Sequence, residues 1–478
     1  MTFTSFEFIA FFLFILGGRS LLGNFIAAKW FLLITSLFFC LISSVSSAII
    51  ILFITFMDFS IGRRMGQTTD QGRRRNLLVL SLVISLGLLG FFKYTNFLLE
   101  NIWFVFGLLG LQFTQIKLNI IAPPGISFFT FASVSYIIDV YYKRLKPCNT
   151  LSDYALFLSF FPKFLSGPIA RAVNFLPQLK QRVQLTAVDI ETGLAYILSG
   201  AVKKLVIADQ IAGHVNMIFS APAQFDGFTL LQGLLGYAVQ IYCDFAGYSE
   251  MAIGLARLLG FKLPENFQMP YSADTITEFW RRWHITMSNW FRDYLFFPLE
   301  MARRRSLYPI FRTSSNLILT WLICGLWHGA GWNYVIWGGI HAFAMATHVV
   351  WKSWNPLVSM QDSRLFQFLW TFISRVLTLG VLLLSLIFFR TESIANAGAY
   401  LTRLISWSPE GTNMISPYIL PAVAAVFLVH LFVNKDRNWP QEIPTKSRIF
   451  RLLAYTCLII LLVTLGATDS VPFVYFQF

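Results

Sequence analysis

Histidine is the side chain best suited to move protons near neutral pH, and this chain has six. His328 lies in the run Cys324-Gly-Leu-Trp-His-Gly-Ala330, inside a 39-residue stretch from Thr313 to Trp351 that contains no Asp, Glu, Lys or Arg. The other imidazoles there belong to His341 and His348. Hydrocarbon disfavours polar groups, so an ionisable side chain in such a stretch is a functional candidate by default. An imidazole kept neutral by apolar surroundings can accept a proton, which is the work of a general base. Gly325 and Gly329 flank the ring and let other backbone, or a ligand, come close. The competing reading is a packing histidine, hydrogen-bonded across to a neighbouring helix.

His284 is the second candidate. Thr275-Ile-Thr-Glu278 reads as a capping box that opens a helix with no Gly or Pro before Pro298. At about 100° per residue, Trp280, Trp283, His284, Met287, Trp290 and Phe291 share one face. Glu278, Arg281, Arg282, Asn289, Arg292 and Asp293 fall opposite, with Glu278 and Arg282 in the favourable order for a helical ion pair. This pattern predicts one amphipathic helix lying at a membrane interface. His284 would then be either a base or a side chain snorkelling among tryptophans. His341 and His348, seven residues apart, share a helical face and read as structural; His214 and His430 have no supporting context.

The elements that must hold these residues are membrane helices. The 478 residues are 56% hydrophobic and 13% charged, against about 25% charged in a soluble domain. That predicts an all-α polytopic membrane protein. The apolar start, Met1 to Gly18, has no preceding basic residue and reads as a retained helix. Charge-free runs at 76–92, 411–434 and 452–468, and 366–389 broken only by Arg375, suggest spans. The run Trp30 to Met57 is too long for one span, and Ser43-Ser-Val-Ser-Ser47 predicts its division into two short helices. That division puts Arg19, Lys29, Arg63, Arg64, Arg73 to Arg75, Lys143, Arg144 and Lys146 on one side. The positive-inside rule then places the N-terminus and C-terminus outside. On the order of ten to twelve spans are expected. From Pro123 to Pro298, Gly, Pro and charges interrupt the apolar runs, which suggests re-entrant pieces around a cavity.

A net charge of +14 sits in short loops, as expected for loops facing anionic lipid and not for nucleic-acid binding. Five scattered cysteines give neither a disulfide framework nor metal spacing, and no His-Glu-x-x-His run occurs, so no metal site is expected. No nucleophile-elbow sequence is present. No internal repeat or linker is visible, and a single membrane domain is expected over 1–478, with N-terminal helices in 1–92, a core in 93–351 and C-terminal helices in 352–478.

Several segments, in order, carry a resemblance. They are Gly125-Ile-Ser-Phe-Phe-Thr-Phe-Ala-Ser-Val-Ser-Tyr-Ile-Ile-Asp-Val-Tyr141, Phe160-Phe-Pro-Lys-Phe-Leu-Ser-Gly-Pro168, Ile241-Tyr-Cys-Asp-Phe-Ala-Gly-Tyr248 and Glu265-Asn-Phe-Gln-Met-Pro-Tyr271. Phe279-Trp-Arg-Arg-Trp-His284, Trp290-Phe-Arg-Asp-Tyr294, Gly325-Leu-Trp-His-Gly329 and Phe473-Val-Tyr-Phe-Gln-Phe478 complete the set. Together they resemble the membrane-bound O-acyltransferase family, in its bacterial polysaccharide branch of alginate, peptidoglycan and teichoic-acid acyltransferases. After Pro298 the chain departs from the alginate-like pattern, with Leu299-Glu-Met-Ala-Arg-Arg-Arg305 in place of a Gly pair.

The resemblance implies a bundle of short, tilted and re-entrant helices around a central tunnel in a bacterial inner membrane. The family's two motif histidines map onto His284 and His328. The implied reaction carries an acetyl group from cytoplasmic acetyl-CoA to an extracytoplasmic polysaccharide by way of a serine esterase-like partner transferase. Trp283, Trp327, Tyr242, Asp244 and Asn289 are the candidate tunnel residues. Arg281, Arg282 and Arg292, with the Arg303–Arg305 run behind them, are the candidates for the donor's phosphates, since guanidinium suits phosphate geometry. Asp244, between two tyrosines, is read as pairing with an arginine or orienting a histidine. The alternative function is a transporter or flippase for an acyl group or lipid-linked sugar, which broken helices also serve.

Overall fold

The structure, a computed structural model, describes the chain except residues 112–113, 115, 183, 355–363, 468–470 and 474–478. Its described residues form helices and no strand, with one isolated bridge between Phe225 and Thr412. Five helices are long and apolar enough to cross a membrane: Phe25–Ser43, Val45–Gln67, Gln71–Leu108, Arg364–Arg390 and Arg448–Leu465. Ile126–Tyr141 and Ile419–Phe432 are shorter apolar helices. The remaining helices among the described residues are shorter or carry more polar side chains. The chain is an all-α polytopic membrane protein.

Two compact units can be described separately, one of residues 1–194 and 252–264, the other of residues 195–251 and 265–478. In the first, the predicted division of the long apolar run falls at Ser44. Its extended backbone ends Phe25–Ser43, and its hydroxyl caps Val45–Gln67 by accepting from the Ser47 amide at 3.3 Å. Serine suits this position because its short side chain replaces a missing backbone partner at a helix start. Buried Asp58 then gathers three further helices: Ser81 Oγ donates to it at 2.6 Å, Ser133 Oγ donates to its other oxygen, and Ser133 contacts the Tyr154 hydroxyl at 2.8 Å.

The second unit contains all the candidate site residues. The expected interruption of every apolar run fails here, because Gly227–Leu258 is one helix of 32 residues. Asp244, on that helix, is held in a structural ion pair with a lysine. It pairs with Lys204 at 2.8 Å, and Lys204 also reaches Asp209 at 2.8 Å and the Val471 carbonyl at 2.8 Å. Lys204 lies in a stretch of wider π-helix, Val202–Ala208.

The predicted single helix after Thr275 is broken. Ile276–Arg282 stops at Trp283, which is extended, and His284 has a left-handed backbone with φ 40° and ψ 53° before Ile285–Phe291 begins. Hydrophobic periodicity runs through this joint unchanged, which is why the pattern conceals it. The predicted aromatic face is nonetheless the buried one, including Trp280, Trp283, His284, Met287, Trp290 and Phe291.

His328 ends the helix Pro309–His328, which folds back against Trp332–Trp354. The two backbones meet at glycines. A Cβ on Gly325 would stand 2.3 Å from the Tyr334 carbonyl, and one on Gly338 would stand 2.4 Å from the Trp321 carbonyl. Because the obstructing atoms are backbone, the hairpin has to open to admit a side chain. Gly325→Val should therefore cost about 1–3 kcal/mol of stability through overpacking. A melting temperature of the purified protein in detergent that equals wild type would contradict this crossing.

Candidate active site

His284 and His328 come together around one indole. The Trp327 ring is 4.9 Å from the His328 ring and 6.2 Å from the His284 ring. His284 is fully buried and His328 is 5% exposed. On its other side His328 packs edge-on against Trp337 at 4.7 Å and Phe389 at 5.4 Å. His284 rests against Phe245 at 4.7 Å.

The orientation of His284 is set by Asn266. The Asn266 Oδ1 atom lies 3.0 Å from His284 Nδ1 and accepts from the Thr286 amide at 3.2 Å and the Thr286 hydroxyl at 2.9 Å, while Asn266 Nδ2 donates to Ser249 Oγ at 3.1 Å. The backbone amide fixes which end of the carboxamide is oxygen. His284 Nδ1 is therefore the donating nitrogen, and Nε2 is the accepting one. Burial pushes the His284 imidazole below its ordinary pKa, so the neutral form holds. A non-glycine residue in the left-handed region is strained by order 1–3 kcal/mol and persists only where its surroundings demand it. Here those surroundings are the Asn266 bond and the aromatic packing.

The helix Ile276–Arg282 has two dissimilar sides. One side closes an aromatic chamber of about 30 Å³, lined by Phe279, Trp280 and Trp283 from this stretch, and also by Tyr271, Trp337, His341 and Phe389. Space of that size holds a water or two, or the end of a small acyl group. Trp337 and Phe389 thus line the chamber and also pack against His328. The other side faces an open cavity of about 580 Å³, lined by Thr277, Glu278, Arg281, Arg282, His348, Trp351 and Lys352 among others. Arg281 and Lys352 have no ion-pair partner among the described residues. They place two positive charges in a concave site, a setting that attracts anions.

The three arginines predicted for phosphate contact separate. Arg281 faces the open cavity. Arg282 lines it too but is held by Glu278 at 3.0 Å, as predicted, and by Asp436 at 2.9 Å and the Lys435 carbonyl at 2.7 Å. Arg292 does not line the cavity and pairs with its neighbour Asp293 at 2.7 Å. In the Arg303–Arg305 run, Arg303 donates to Asn316 Oδ1 at 2.9 Å.

Of the predicted tunnel residues, Trp283 lines the chamber and Trp327 separates the histidines. Tyr242 lies one layer out, 6.3 Å from Trp283 and 5.0 Å from His430. Asp244 belongs to the Lys204 cluster, and Asn289 is half-buried and lines neither cavity. Asn266, Trp337 and Phe389 were not anticipated. Asn266 lies in the Glu265–Tyr271 segment, but nothing in its spacing reveals a partner 18 residues later.

Residues 26–388 match the description "MBOAT, membrane-bound O-acyltransferase family". A probable alginate O-acetylase of Pseudomonas putida is 32% identical over 89% of this chain and 89% of its own length. A probable alginate O-acetylase of Pseudomonas aeruginosa is 40% identical over 61% of this chain, and that alignment spans 55% of the relative. A peptidoglycan O-acetyltransferase of Helicobacter pylori is 33% identical over 84% of this chain and 77% of its own length.

The Asn266 contact yields a direct test. Asn266→Asp keeps an oxygen facing His284 Nδ1, whereas Asn266→Ala removes it. Acyl transfer by Asn266→Ala should fall by roughly ten- to a hundredfold, no more than the low end of what a general base contributes, and Asn266→Asp should keep more activity at matched protein level. The reverse order would show that Asn266 does not orient His284. On its fold and its sequence matches, this chain is a member of the membrane-bound O-acyltransferase family.

Proposed function

We propose that the protein moves an acetyl group from cytoplasmic acetyl-CoA to a hydroxyl on the far side of a bacterial inner membrane. The receiving hydroxyl belongs to a separate, serine esterase-like transferase that then modifies a cell-envelope polysaccharide. His328 is the general base. The observation that carries this reading is the pairing of His284 and His328 about Trp327, beside a chamber that one short helix divides from an open basic cavity.

The division suits a donor with two unlike ends. The anionic end of the coenzyme binds in the open cavity, where Arg281 and Lys352 carry positive charge with no ion-pair partner among the described residues. The thioester end reaches inward toward the aromatic chamber. The acceptor oxygen bonds to the acyl carbon as its proton passes to His328. The tetrahedral adduct collapses, the carbon–sulfur bond breaks, and His328 returns its proton to the departing thiolate, which leaves as free thiol. Holding the two reactants in place can remove roughly 7–11 kcal/mol of the barrier, while a general base adds about 10²–10⁴ in rate. Positioning by the aromatic walls is thus the larger contribution. The distribution of basic loops supports a cytoplasmic face for the Arg63–Arg75 and Lys143–Lys146 segments and an N-terminus outside.

Replacing the chromosomal copy with His328→Ala should cut O-acetyl content of the surface glycan by about 10²-fold or more, with the protein still in the membrane at its normal level. Glycan acetylation at more than half the parental level would contradict the assignment. His284→Ala should also lower turnover by at least about tenfold. A loss confined to folded yield would reduce His284 to a packing residue.

A further inference from the structure

A third histidine, which the sequence presents as a structural residue, has a chemical position. His341 is 1% exposed and held among three indoles, 5.0 Å from Trp280, 5.7 Å from Trp321 and 4.7 Å from Trp337. Trp280 Nε1 donates to His341 Nδ1 at 3.3 Å. An indole N–H only donates, so Nδ1 must offer its lone pair. The imidazole is therefore neutral and carries its proton on Nε2.

That N–H has no protein acceptor among the described residues, and the ring lines the aromatic chamber. The two hydroxyls of the chamber wall are already engaged. The Ser385 hydroxyl donates to the Leu382 carbonyl at 2.7 Å, and the Tyr271 hydroxyl donates to the Ala238 carbonyl at 2.6 Å. A donor facing a small apolar space strongly favours a guest with a carbonyl oxygen, because low dielectric strengthens such a bond. His341 and His328 pack against the same Trp337 ring, each at 4.7 Å.

We propose that His341 Nε2–H donates a hydrogen bond to the carbonyl oxygen of a short acyl thioester lodged in the chamber and stabilises the negative charge that gathers there during attack. This rests on the acyl-transfer reading and adds to it a second kind of group: His328 takes the proton from the acceptor, and His341 holds the oxyanion without transferring its own. The Trp280 bond fixes which nitrogen of His341 carries the proton. The small chamber suits the end of a short acyl group.

The test uses the full chain in native membranes, with radiolabelled acetyl-CoA as donor and label in envelope esters as the readout. His341→Phe preserves a ring and removes the donor; it should lower kcat by about 10²-fold, the typical cost of one oxyanion donor, with KM for acetyl-CoA within about threefold of wild type. His341→Gln offers an amide N–H near the position of Nε2–H and should recover at least about tenfold over His341→Phe. The proposal is overturned if His341→Phe stays within about threefold of wild type, or if His341→Gln is no better than His341→Phe at equal membrane level and melting temperature. His328→Ala, run in parallel, separates the two claims. Full transfer by His328→Ala would remove the base role of His328 on which this proposal rests, whereas loss there with normal transfer by His341→Phe removes the role of His341 alone.

Discussion

The candidate site depends on how closely two helices approach. Pro309–His328 and Trp332–Trp354 cross where Gly325 and Gly338 present bare backbone to each other, with no room for a Cβ on either side. Small residues at helix crossings let packing and short polar contacts replace the hydrophobic drive that is missing inside a bilayer. The consequence is specific. His328 and Trp337 lie near this crossing, on opposite helices, and are pressed into edge-on contact, while His341 packs against the same indole. Wider separation of the helices would loosen all three rings together.

The second constraint is the break at Trp283 and His284. A continuous helix would carry its imidazole around with the rest of its aromatic face. The left-handed residue instead turns the chain at that point, and Asn266 holds the ring that results. The cost of that backbone conformation is modest, and the buried bonds around Asn266 offset it. The same break shortens Ile276–Arg282 into a partition with aromatic rings on one side and charge on the other. A donor that is polyanionic at one end and acyl at the other matches that arrangement.

Features governed by local composition were legible in the sequence. The serine run marked the division at Ser44, the Glu278 and Arg282 spacing gave the ion pair, and the aromatic face after Thr275 is the buried one. His328 stood out because its surroundings lack charge. Features set by distant contacts were not legible. The joint at His284 has neither Gly nor Pro to announce it, and the period of the apolar residues continues across it. Asp244 meets Lys204, a partner set by how a π-helical stretch packs. The hydrogen bonds of Asn266 and His341 depend on which nitrogen faces which neighbour, and spacing alone carries no such information. Arg292, equal to Arg281 on a helical projection, is removed from the cavity because the wheel does not survive the break.

The central claim is that an imidazole at membrane depth joins a thioester supplied on one face to a hydroxyl supplied on the other. Sidedness tests it most directly. Right-side-out vesicles from cells carrying wild-type protein or His328→Gln would be loaded inside with radiolabelled acetyl-CoA, and the label released by mild alkali from the outer surface would be counted. Wild-type vesicles should expose labelled esters on the outside, and His328→Gln vesicles should not. Equal label on the outside of both would contradict the account.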